Sequence, residues 1–411
     1  MKKFNKLVSA VVASAMVLAM TGCGNQNAGQ NSVAGNSGAS GSEATSSEAS
    51  GSNNVSSEGT FKIGGMGPLT GPAAIYGTNV KNSAQIAVDE INAAGGVNGY
   101  MLELNFQDDE HDAEKAVNAY NTLKDWGAQM ILGAVTSTPC IAVTAETNAD
   151  NMFQLTPSGS AVKCTQYDNN FRLCFSDPDQ GAASAQYIGE NNLATKVGII
   201  YDTSNEYSTG IYESFMKGAA NQPFEVVAEE QYTVETNTDF SVQIQKCQEA
   251  GAELIFLPMY YEDASRILTQ ANAVGYNPLY FSCDGMDGIL GVENFDVSLA
   301  EGVMLLTPFA ADAQDEKTQN FVAAYQSANG DIPNQFGADG YDCIYVIKAA
   351  LEASNATPDM SVSDLCEALK SGITSITYDG LTGEGMNWNA EGEPAKAPKA
   401  VKIENGTYTA M

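Results

Sequence analysis

The chain has 411 residues, of which 19 are Lys or Arg and 50 are Asp or Glu, so its formal net charge at pH 7 is −31. Binding to nucleic-acid phosphates requires Lys and Arg, so this charge argues against a nucleic-acid partner and disfavours adsorption to anionic membrane surfaces. The single histidine, His111, argues against a catalytic histidine and a histidine-rich metal site. We therefore predict a protein that is not an enzyme and that has no catalytic residue, metal or cofactor.

The N-terminus has the pattern of an export signal. Lysines stand at positions 2, 3 and 6, and the uncharged apolar run 7–20 follows them. This run is shorter than the about 20 residues that a bilayer-spanning helix needs, so residues 1–22 are predicted to be a signal peptide. The run ends in Leu18-Ala19-Met20-Thr21-Gly22-Cys23, which resembles the lipobox of bacterial lipoproteins, although Met20 stands where that family usually has Leu, Val or Ile. The resemblance implies that Cys23 is lipidated and anchors the protein at the extracytoplasmic face of the cell membrane.

The segment after this cysteine has the composition of a tether. Residues 24–59 consist almost entirely of Gly, Ser, Asn, Ala, Gln and Glu and contain no aromatic residue, Lys or Arg. Such a segment cannot bury enough apolar surface to offset its ordering entropy. We therefore predict a lipid-anchored disordered linker over residues 23–59 and an ordered protein from about residue 60.

From residue 60 onward, short apolar runs alternate with amphipathic segments. Strands that alternate with helices of 10–15 residues predict βαβ units and parallel sheets. The pattern occurs in two successive blocks, which predicts an α/β fold with two Rossmann-like lobes. In chain order, the predicted strands are 61–64, 102–106, 130–132, 152–155, 197–201, 224–228, 254–257 and 279–282, and the predicted helices are 76–94, 113–126, 139–148, 180–191, 209–220, 239–250 and 262–274.

The C-terminal part, residues 303–411, is too long to be a tail. It contains a predicted strand at 303–306, helices at 314–328 and 337–354, and strand-like pieces at Ile373–Tyr378 and Val401–Ile403. We expect this part to complete both lobes, so that the chain crosses between them more than once.

The cysteines leave two interpretations open. With Cys23 used as the anchor, seven remain, and none forms a C-x-x-C motif. Cys164 and Cys174 flank a short segment in which 168–170 has the sequence of a turn, so they either form a disulfide across a hairpin or are small buried thiols.

The residues that follow the predicted strands suggest a ligand site, because ligands of open α/β sheets bind beyond the carboxyl ends of the strands. In the first block these residues are rich in hydroxyls and lie at helix starts, where free N–H groups suit a carboxylate. In the second block they include tyrosines and Asp284, which suit an ammonium group. Together they predict a site for a free α-amino acid. Taken singly, Ser137 and Ser158 could be helix caps, Tyr207 and Tyr260 core residues, and Asp284 part of a turn.

His111 lies in a charged turn and is predicted to be solvated.

Several motifs, in order, make the chain resemble the leucine/isoleucine/valine-binding protein family, the substrate-binding components of branched-chain amino-acid ABC importers. The resemblance implies the type I periplasmic-binding-protein fold, with two lobes joined by a three-strand hinge and an amino acid held between them. The motifs are Gly67-Pro68-Leu69-Thr70-Gly71, Ile91-Asn92-Ala93-Ala94-Gly95-Gly96-Val97-Asn98-Gly99, Asp108-Asp109, Gly133-Ala134-Val135-Thr136-Ser137, Phe171-Arg172, Asp179-Gln180-Gly181, Gly340-Tyr341-Asp342 and Asn387-Trp388-Asn389.

The resemblance also implies roles for individual residues. Asp284 matches an acid that binds the α-ammonium group, although a family member has Glu there, and His111 and Thr136 stand where that member has disulfide-bonded cysteines. The positions matched to the α-carboxylate are Ser137, Ser158, Gly159 and Ser160, those matched to second-lobe tyrosines at the ligand are Tyr207 and Tyr260, and those matched to aromatic walls of the side-chain pocket are Tyr76 and Phe336.

These observations predict a monomeric, extracytoplasmic lipoprotein that binds a branched-chain amino acid and delivers it to an ABC permease. The predicted first lobe comprises residues 60–181 and about 308–380, and the second comprises 182–307 and about 381–411. The alternatives are the same fold with another small ligand (an aromatic amino acid, an amide or urea), a surface enzyme, and a structural lipoprotein.

Overall fold

The computed structural model describes residues 59–411. The predicted signal peptide (1–22), the lipidation site Cys23 and nearly all of the predicted linker (23–59) lie outside the described residues. Within the described range, no helix is both long enough and apolar enough to cross a membrane.

The first of two sheets is entirely parallel. Its strands are β1 (Thr60–Gly67), β2 (Met101–Asp108), β3 (Met130–Leu132), β4 (Gln154–Thr156) and β5 (Asn170–Arg172). They lie in the order β2-β1-β3-β4-β5. β3, β4 and β5 are fully buried, which accounts for the uninterrupted apolar sequence of β3.

The second sheet is parallel except at one edge. Its strands are β6 (Lys196–Asp202), β7 (Glu225–Tyr232), β8 (Leu254–Leu257), β9 (Leu279–Ser282), β10 (Met304–Thr307), β11 (Lys399–Glu404) and β12 (Thr407–Ala410). Their order is β12-β11-β10-β9-β8-β6-β7, and β11 and β12 form an antiparallel hairpin. This hairpin turns at Asn405-Gly406, where both residues have positive φ (53° and 73°), as a type I′ turn requires.

Helices cover both sheets. They are α1 (Ala74–Ala93), α2 (Ala113–Trp126), α3 (Ser137–Asp150), α4 (Asp177–Glu190), α5 (Glu206–Ala219), α6 (Ser241–Glu249), α7 (Tyr261–Ala273), α8 (Glu316–Asn329), α9 (Gln335–Ala353) and α10 (Val362–Ser375). α8 and α9 pack on α1, and α10 packs on α9. We call the first sheet with α1–α3 and α8–α10 the first lobe, and the second sheet with α4–α7 the second lobe.

The elements α10, β5 and β12 were not predicted from the sequence, and two of these differences have a clear physical reason. The strand predicted at Ile373–Tyr378 is wrong, because α10 runs through Ser375. Leu365, Leu369 and Ile373 repeat at helical spacing and are fully buried, so packing of this face outweighs the β propensity of the local Ile and Thr residues. The second difference is β5, a strand of three residues that is too short to produce an alternating pattern.

The chain passes between the lobes three times, after β5, after β10 and after α10. A buried lysine connects two of these passages. Lys396 in the third passage donates from Nζ to the backbone oxygen of Leu173 (3.3 Å) and the hydroxyl of Thr382 (2.8 Å), and it pairs with Asp339 of α9 (3.0 Å). The predicted change of lobe after residue 181 falls within α4, whereas α4 as a whole packs on α5. The predicted lobe boundaries stay predictions.

The cysteines of the described range are all buried and unbonded. Cys164 and Cys174 therefore correspond to the second sequence interpretation, that of small buried thiols. Burial raises the pKa of both thiols well above the ordinary value, so both side chains are neutral packing groups rather than nucleophiles.

Candidate functional site

A small cavity lies between the lobes, beyond the carboxyl ends of their parallel strands. This is where the topology of open α/β sheets places ligands. We call it the cleft cavity, and it is lined by Tyr76, Val135, Thr136, Ser158, Tyr207, Tyr260, Asp284, Gly285 and Phe336.

Four aromatic rings line the cavity. The Tyr76 ring centroid lies 4.1 Å from that of Phe336 and 5.4 Å from that of Tyr260, which in turn lies 4.9 Å from that of Tyr207. Burial raises the pKa of the Tyr76, Tyr207 and Tyr260 phenols well above the ordinary value. These tyrosines are therefore neutral, and they provide apolar faces together with hydroxyl groups that can donate hydrogen bonds.

The lobes also contact each other directly beside the cavity. The Tyr76 hydroxyl donates to the backbone oxygen of Gly285 (2.5 Å). Gln335, the first residue of α9, donates from its backbone N–H to Asp287 Oδ2 (2.9 Å) and from its side-chain amide to the backbone oxygen of Asp284 (2.7 Å). The acidic segment of the second lobe is thus fixed to helix starts of the first lobe.

The first-lobe lining of the cavity includes the hydroxyl residues Thr136 and Ser158 and contains no acid. The Ser158 hydroxyl donates to the backbone oxygen of Val135 (2.6 Å), which holds the segment after β4 against the start of α3. The backbone N–H groups of Ser137 and Thr138, in the first turn of α3, donate no hydrogen bond within the described structure. A helix start with free N–H groups favours an anion.

A buried arginine supports this end of the cavity. Arg172 of β5 is fully buried, and its guanidinium donates to the backbone oxygens of Gly159 (3.2 Å), Ser160 and Ala161 (3.0 Å). It also pairs with Glu393 of the third passage (3.0 Å). Its planar fork therefore sets the path of the segment that follows Ser158.

The second-lobe end of the cavity is acidic. Asp284 is 4% exposed, and its Oδ1 accepts a hydrogen bond from the Tyr207 hydroxyl (2.7 Å). Its backbone N–H donates to Gln180 Oε1 (3.1 Å). Burial raises the pKa of Asp284 to about 7, against the opposing effect of hydrogen bonds from Tyr207 and Gln180. A buried carboxylate whose hydrogen-bond partners are neutral suits a cationic group of a ligand.

The structure brings together six of the nine predicted site residues at the cavity, namely Tyr76, Ser158, Tyr207, Tyr260, Asp284 and Phe336. Ser137, Gly159 and Ser160 lie within two positions of a lining residue in the chain but do not line the cavity. The Ser137 hydroxyl instead accepts from the backbone N–H of Ala161 (3.2 Å). The predicted roles of all nine in binding a ligand stay predictions.

Several residues near the site were missed from the sequence. Val135, Thr136 and Gly285 line the cavity, and each adjoins a residue that was singled out, so the strand-end position was the available signal. The prediction that His111 is solvated is wrong, because its ring is partly buried and lies 2.8 Å from Thr136 (Nδ1 to Oγ1). Asp177 is a buried acid that gave no signal in the sequence, and burial raises its pKa well above the ordinary value.

Glycine is required where the acidic segment approaches the tyrosines. A Cβ on Gly285 would lie 2.7 Å from the Tyr207 hydroxyl oxygen and 2.9 Å from the backbone oxygen of Met259. A side chain at this position would displace the hydroxyl that binds Asp284, so Gly285 belongs to the site through its lack of a side chain.

Comparison with known proteins identifies the family. The sequence profile described as periplasmic binding protein matches residues 60–407. The chain belongs to this family. Periplasmic binding proteins are extracytoplasmic proteins that bind substrates for transport and are not enzymes.

Relatives of this periplasmic binding protein include the Leu/Ile/Val-binding protein homolog 3 of Brucella melitensis, which is 29% identical over 77% of this chain and 86% of the relative. The leucine-, isoleucine-, valine-, threonine- and alanine-binding protein of Pseudomonas aeruginosa is 28% identical over 79% of this chain and 84% of the relative. The predicted membership in the leucine/isoleucine/valine-binding family is confirmed by these matches.

A solved structure confirms the predicted fold class. The branched-chain amino acid transporter substrate-binding protein LivJ of Streptococcus pneumoniae, determined in complex with isoleucine, superimposes with a TM-score of 0.78. It is 26% identical, and the match covers 85% of this chain and 98% of the LivJ chain. The two-lobed arrangement of parallel sheets is therefore that of a type I periplasmic binding protein.

Proposed function

We propose that this periplasmic binding protein captures a free branched-chain amino acid in the cleft cavity and delivers it to an ABC permease. The observation that supports this proposal best is the opposite character of the cavity's two ends. On the first lobe, the free helix N–H groups of Ser137 and Thr138 directly follow the lining residue Thr136 in the chain, and on the second lobe Asp284 lines the cavity. The curated relatives bear names of leucine-, isoleucine- and valine-binding proteins.

Each part of an apolar amino acid has a counterpart in this arrangement. The start of α3 receives the α-carboxylate without a basic side chain. Asp284 receives the α-ammonium group, and each charge-assisted hydrogen bond contributes about 1.5–3 kcal/mol net. The rings of Tyr76 and Phe336 and the side chain of Val135 offer apolar surface to an aliphatic side chain. A small cavity with few polar groups in fixed positions is typical of a site that selects one class of small molecule.

Binding then changes the arrangement of the lobes. A ligand that contacts both α3 and Asp284 interacts more strongly with the closed arrangement than with an open one, so it shifts the population toward closure. The three passages between the lobes form the hinge about which this motion occurs. We propose that the permease distinguishes the closed, loaded protein from the open one by the relative position of the two lobes.

A ligand panel tests the proposed function. We expect leucine, isoleucine and valine to raise the thermal unfolding temperature more than phenylalanine, glutamine or urea. A ligand at about 100 times its dissociation constant stabilises the folded state by about 2.7 kcal/mol. Leucinol and 4-methylpentanoate lack the carboxylate and the ammonium group respectively, and each should stabilise the protein less than leucine. Stabilisation by an aromatic acid, an amide or urea alone would assign the fold to a different ligand, and conversion of the added compound during incubation would indicate an enzyme.

We also propose that Cys23 carries the membrane anchor and that residues 24–59 form its tether. In cells that process lipoproteins, the wild-type protein should partition with the membrane fraction, because several acyl chains on one residue bind a bilayer far more stably than one. The Cys23→Ser variant should appear in the soluble fraction after export, whereas Cys366→Ser, which changes a thiol buried against α9, should stay with the membrane. A membrane-bound Cys23→Ser protein would contradict lipidation at this residue.

A further inference from the structure

The turn that carries His111 has an unusual backbone. Glu110 and His111 have φ values of 49° and 60°, a region that residues other than glycine rarely occupy in succession. Two aspartates hold this conformation. Asp108 Oδ1 accepts from the backbone N–H of Glu110 (2.9 Å), and Asp109 Oδ1 accepts from that of His111 (2.9 Å). An unfavourable backbone conformation that is held by several side chains suggests that the position of the His111 ring matters.

The His111 ring lies beside the cleft cavity and contacts both lobes. Its Nδ1 is 2.8 Å from Thr136 Oγ1, and its centroid is 5.4 Å from that of Tyr260, with the two rings edge to face. Burial lowers the pKa of His111 to about 4, so the imidazole is neutral near pH 7. Either Nδ1 or the threonine hydroxyl can be the donor in this hydrogen bond.

Thr136 is the residue before the first turn of α3, and its hydroxyl does not cap its own helix. A threonine at this position ordinarily accepts a hydrogen bond from the N–H of the second or third helical residue. The third residue here is Pro139, which has no N–H, so Thr138 is the remaining ordinary donor. The N–H groups of Ser137 and Thr138 stay free, and the Thr136 hydroxyl pairs with His111 instead.

We propose that His111 is a positioning residue that holds the Thr136 hydroxyl away from the start of α3, so that the free N–H groups there remain available to the carboxylate of the ligand. This inference rests on the proposed function, because it assumes that a carboxylate binds at α3. His111 itself need not touch the ligand. Without His111, the hydroxyl rotates to accept from Thr138, and the ligand must then displace a cap that is already formed.

A pair of single variants and their combination test this mechanism. We expect His111→Phe to weaken leucine binding about fivefold, which corresponds to the strength of one capping hydrogen bond. Thr136→Val removes the competing hydroxyl while keeping the shape of the side chain. In the Thr136→Val background, whatever the affinity of that variant, His111→Phe should therefore change the affinity by less than about twofold. Isothermal titration calorimetry with leucine measures all four proteins, and far-UV circular dichroism checks that each is folded.

Further variants separate positioning from a structural role. Asparagine tolerates positive φ and keeps a polar atom near the position of Nδ1. The His111→Asn protein should therefore bind leucine more tightly than the His111→Phe protein. His111→Gly relieves the backbone and lacks the ring. It should show the same loss as His111→Phe in the wild-type background and no further loss beside Thr136→Val, even if the phenylalanine variant does not fold.

Two results would overturn the inference. A His111→Phe substitution that weakens binding about fivefold in the Thr136→Val background as well would mean that His111 acts through Tyr260 or through the fold. An affinity of His111→Phe equal to that of wild type would mean that the Thr136 hydroxyl does not compete with the ligand for the start of α3. Both results differ from a failure of the proposed function, in which the wild-type protein gives no binding heat with leucine, isoleucine or valine.

Discussion

Replacing Asp284 by alanine should weaken amino-acid binding by about two orders of magnitude or more, because the ammonium group of the ligand would be left buried without a counter-charge. Asp284 is the one acid among the lining residues of the cleft cavity. Calorimetric titration with leucine measures the loss. Asp202→Ala is the matched control, since Asp202 is a buried acid of the same lobe that accepts from the backbone N–H of Ser204 (2.8 Å) and does not line the cavity. Equal losses in both variants would contradict the ammonium assignment.

The pH dependence of leucine affinity shows whether Asp284 acts through its charge or through its packing. Burial raises the pKa of Asp284 to about 7, whereas an exposed aspartate ionises near pH 3.9. Binding of an ammonium group requires the ionised form, so leucine should bind more weakly at about pH 5 than at about pH 8, with proton release on binding. The residual affinity of Asp284→Asn should change much less over this range.

The stability of the ligand-free protein should change in the opposite direction. Because the folded-state pKa of Asp284 is raised, the folded protein holds a proton that the unfolded chain has released between about pH 4 and pH 7. The contribution of Asp284 to stability is therefore present at acidic pH and is lost as the pH rises through 7. Urea unfolding at about pH 8 should show Asp284→Asn to be more stable than wild type, which is the stability cost of a binding residue.

Replacing Arg172 by methionine should lower the free energy of unfolding by roughly 3 kcal/mol or more. The guanidinium is fully buried, and its removal leaves the backbone oxygens of Gly159, Ser160 and Ala161 without their donor. It also releases Glu393 from its pair, and it loosens the segment that carries Ser158. Equilibrium unfolding in urea measures the change, and leucine titration at low temperature should show weakened binding as well.

Two further variants identify which part of this interaction matters. Lysine at position 172 keeps the charge but offers a single ammonium group, so it should recover only part of the stability. Glu393→Gln should cost less than about 1 kcal/mol, because the Glu393 side chain is 33% exposed and can be hydrated. A larger effect at Glu393 than at Arg172 would show that the ion pair, rather than the hydrogen bonds to the backbone, stabilises this segment.

The sequence predicted the elements that have a strong apolar periodicity or that adjoin a Gly or Pro at one end. β3, α2 and β9 were placed at their observed ends. Gly133 directly follows β3, Gly127 directly follows α2, and Pro278 directly precedes β9. The strand-end rule located Asp284 and Tyr260 without any knowledge of their partners. The α10 helix was missed although Leu365, Leu369 and Ile373 repeat at helical spacing, because the segment Ile373–Tyr378 was interpreted as a strand.

The position of His111 could not be predicted from the same kind of pattern. A histidine among four acids has the sequence of an exposed turn, and nothing local shows that the backbone takes positive φ there. Its contact with Thr136 joins residues 25 positions apart. Such a contact follows from the order of strands in the sheet, which a single sequence specifies only as a class of topology.

The hydrogen bonds that Tyr76 and Gln335 make to the opposite lobe affect the affinity for every ligand alike. These hydrogen bonds involve only protein atoms, so they lower the free energy of the closed arrangement by the same amount whichever ligand is bound. The apparent dissociation constant depends on the fraction of molecules that are competent to bind, so a change in these contacts scales every cargo's affinity by one common factor. Evolution or design can therefore set the overall affinity of this protein independently of its selectivity among ligands.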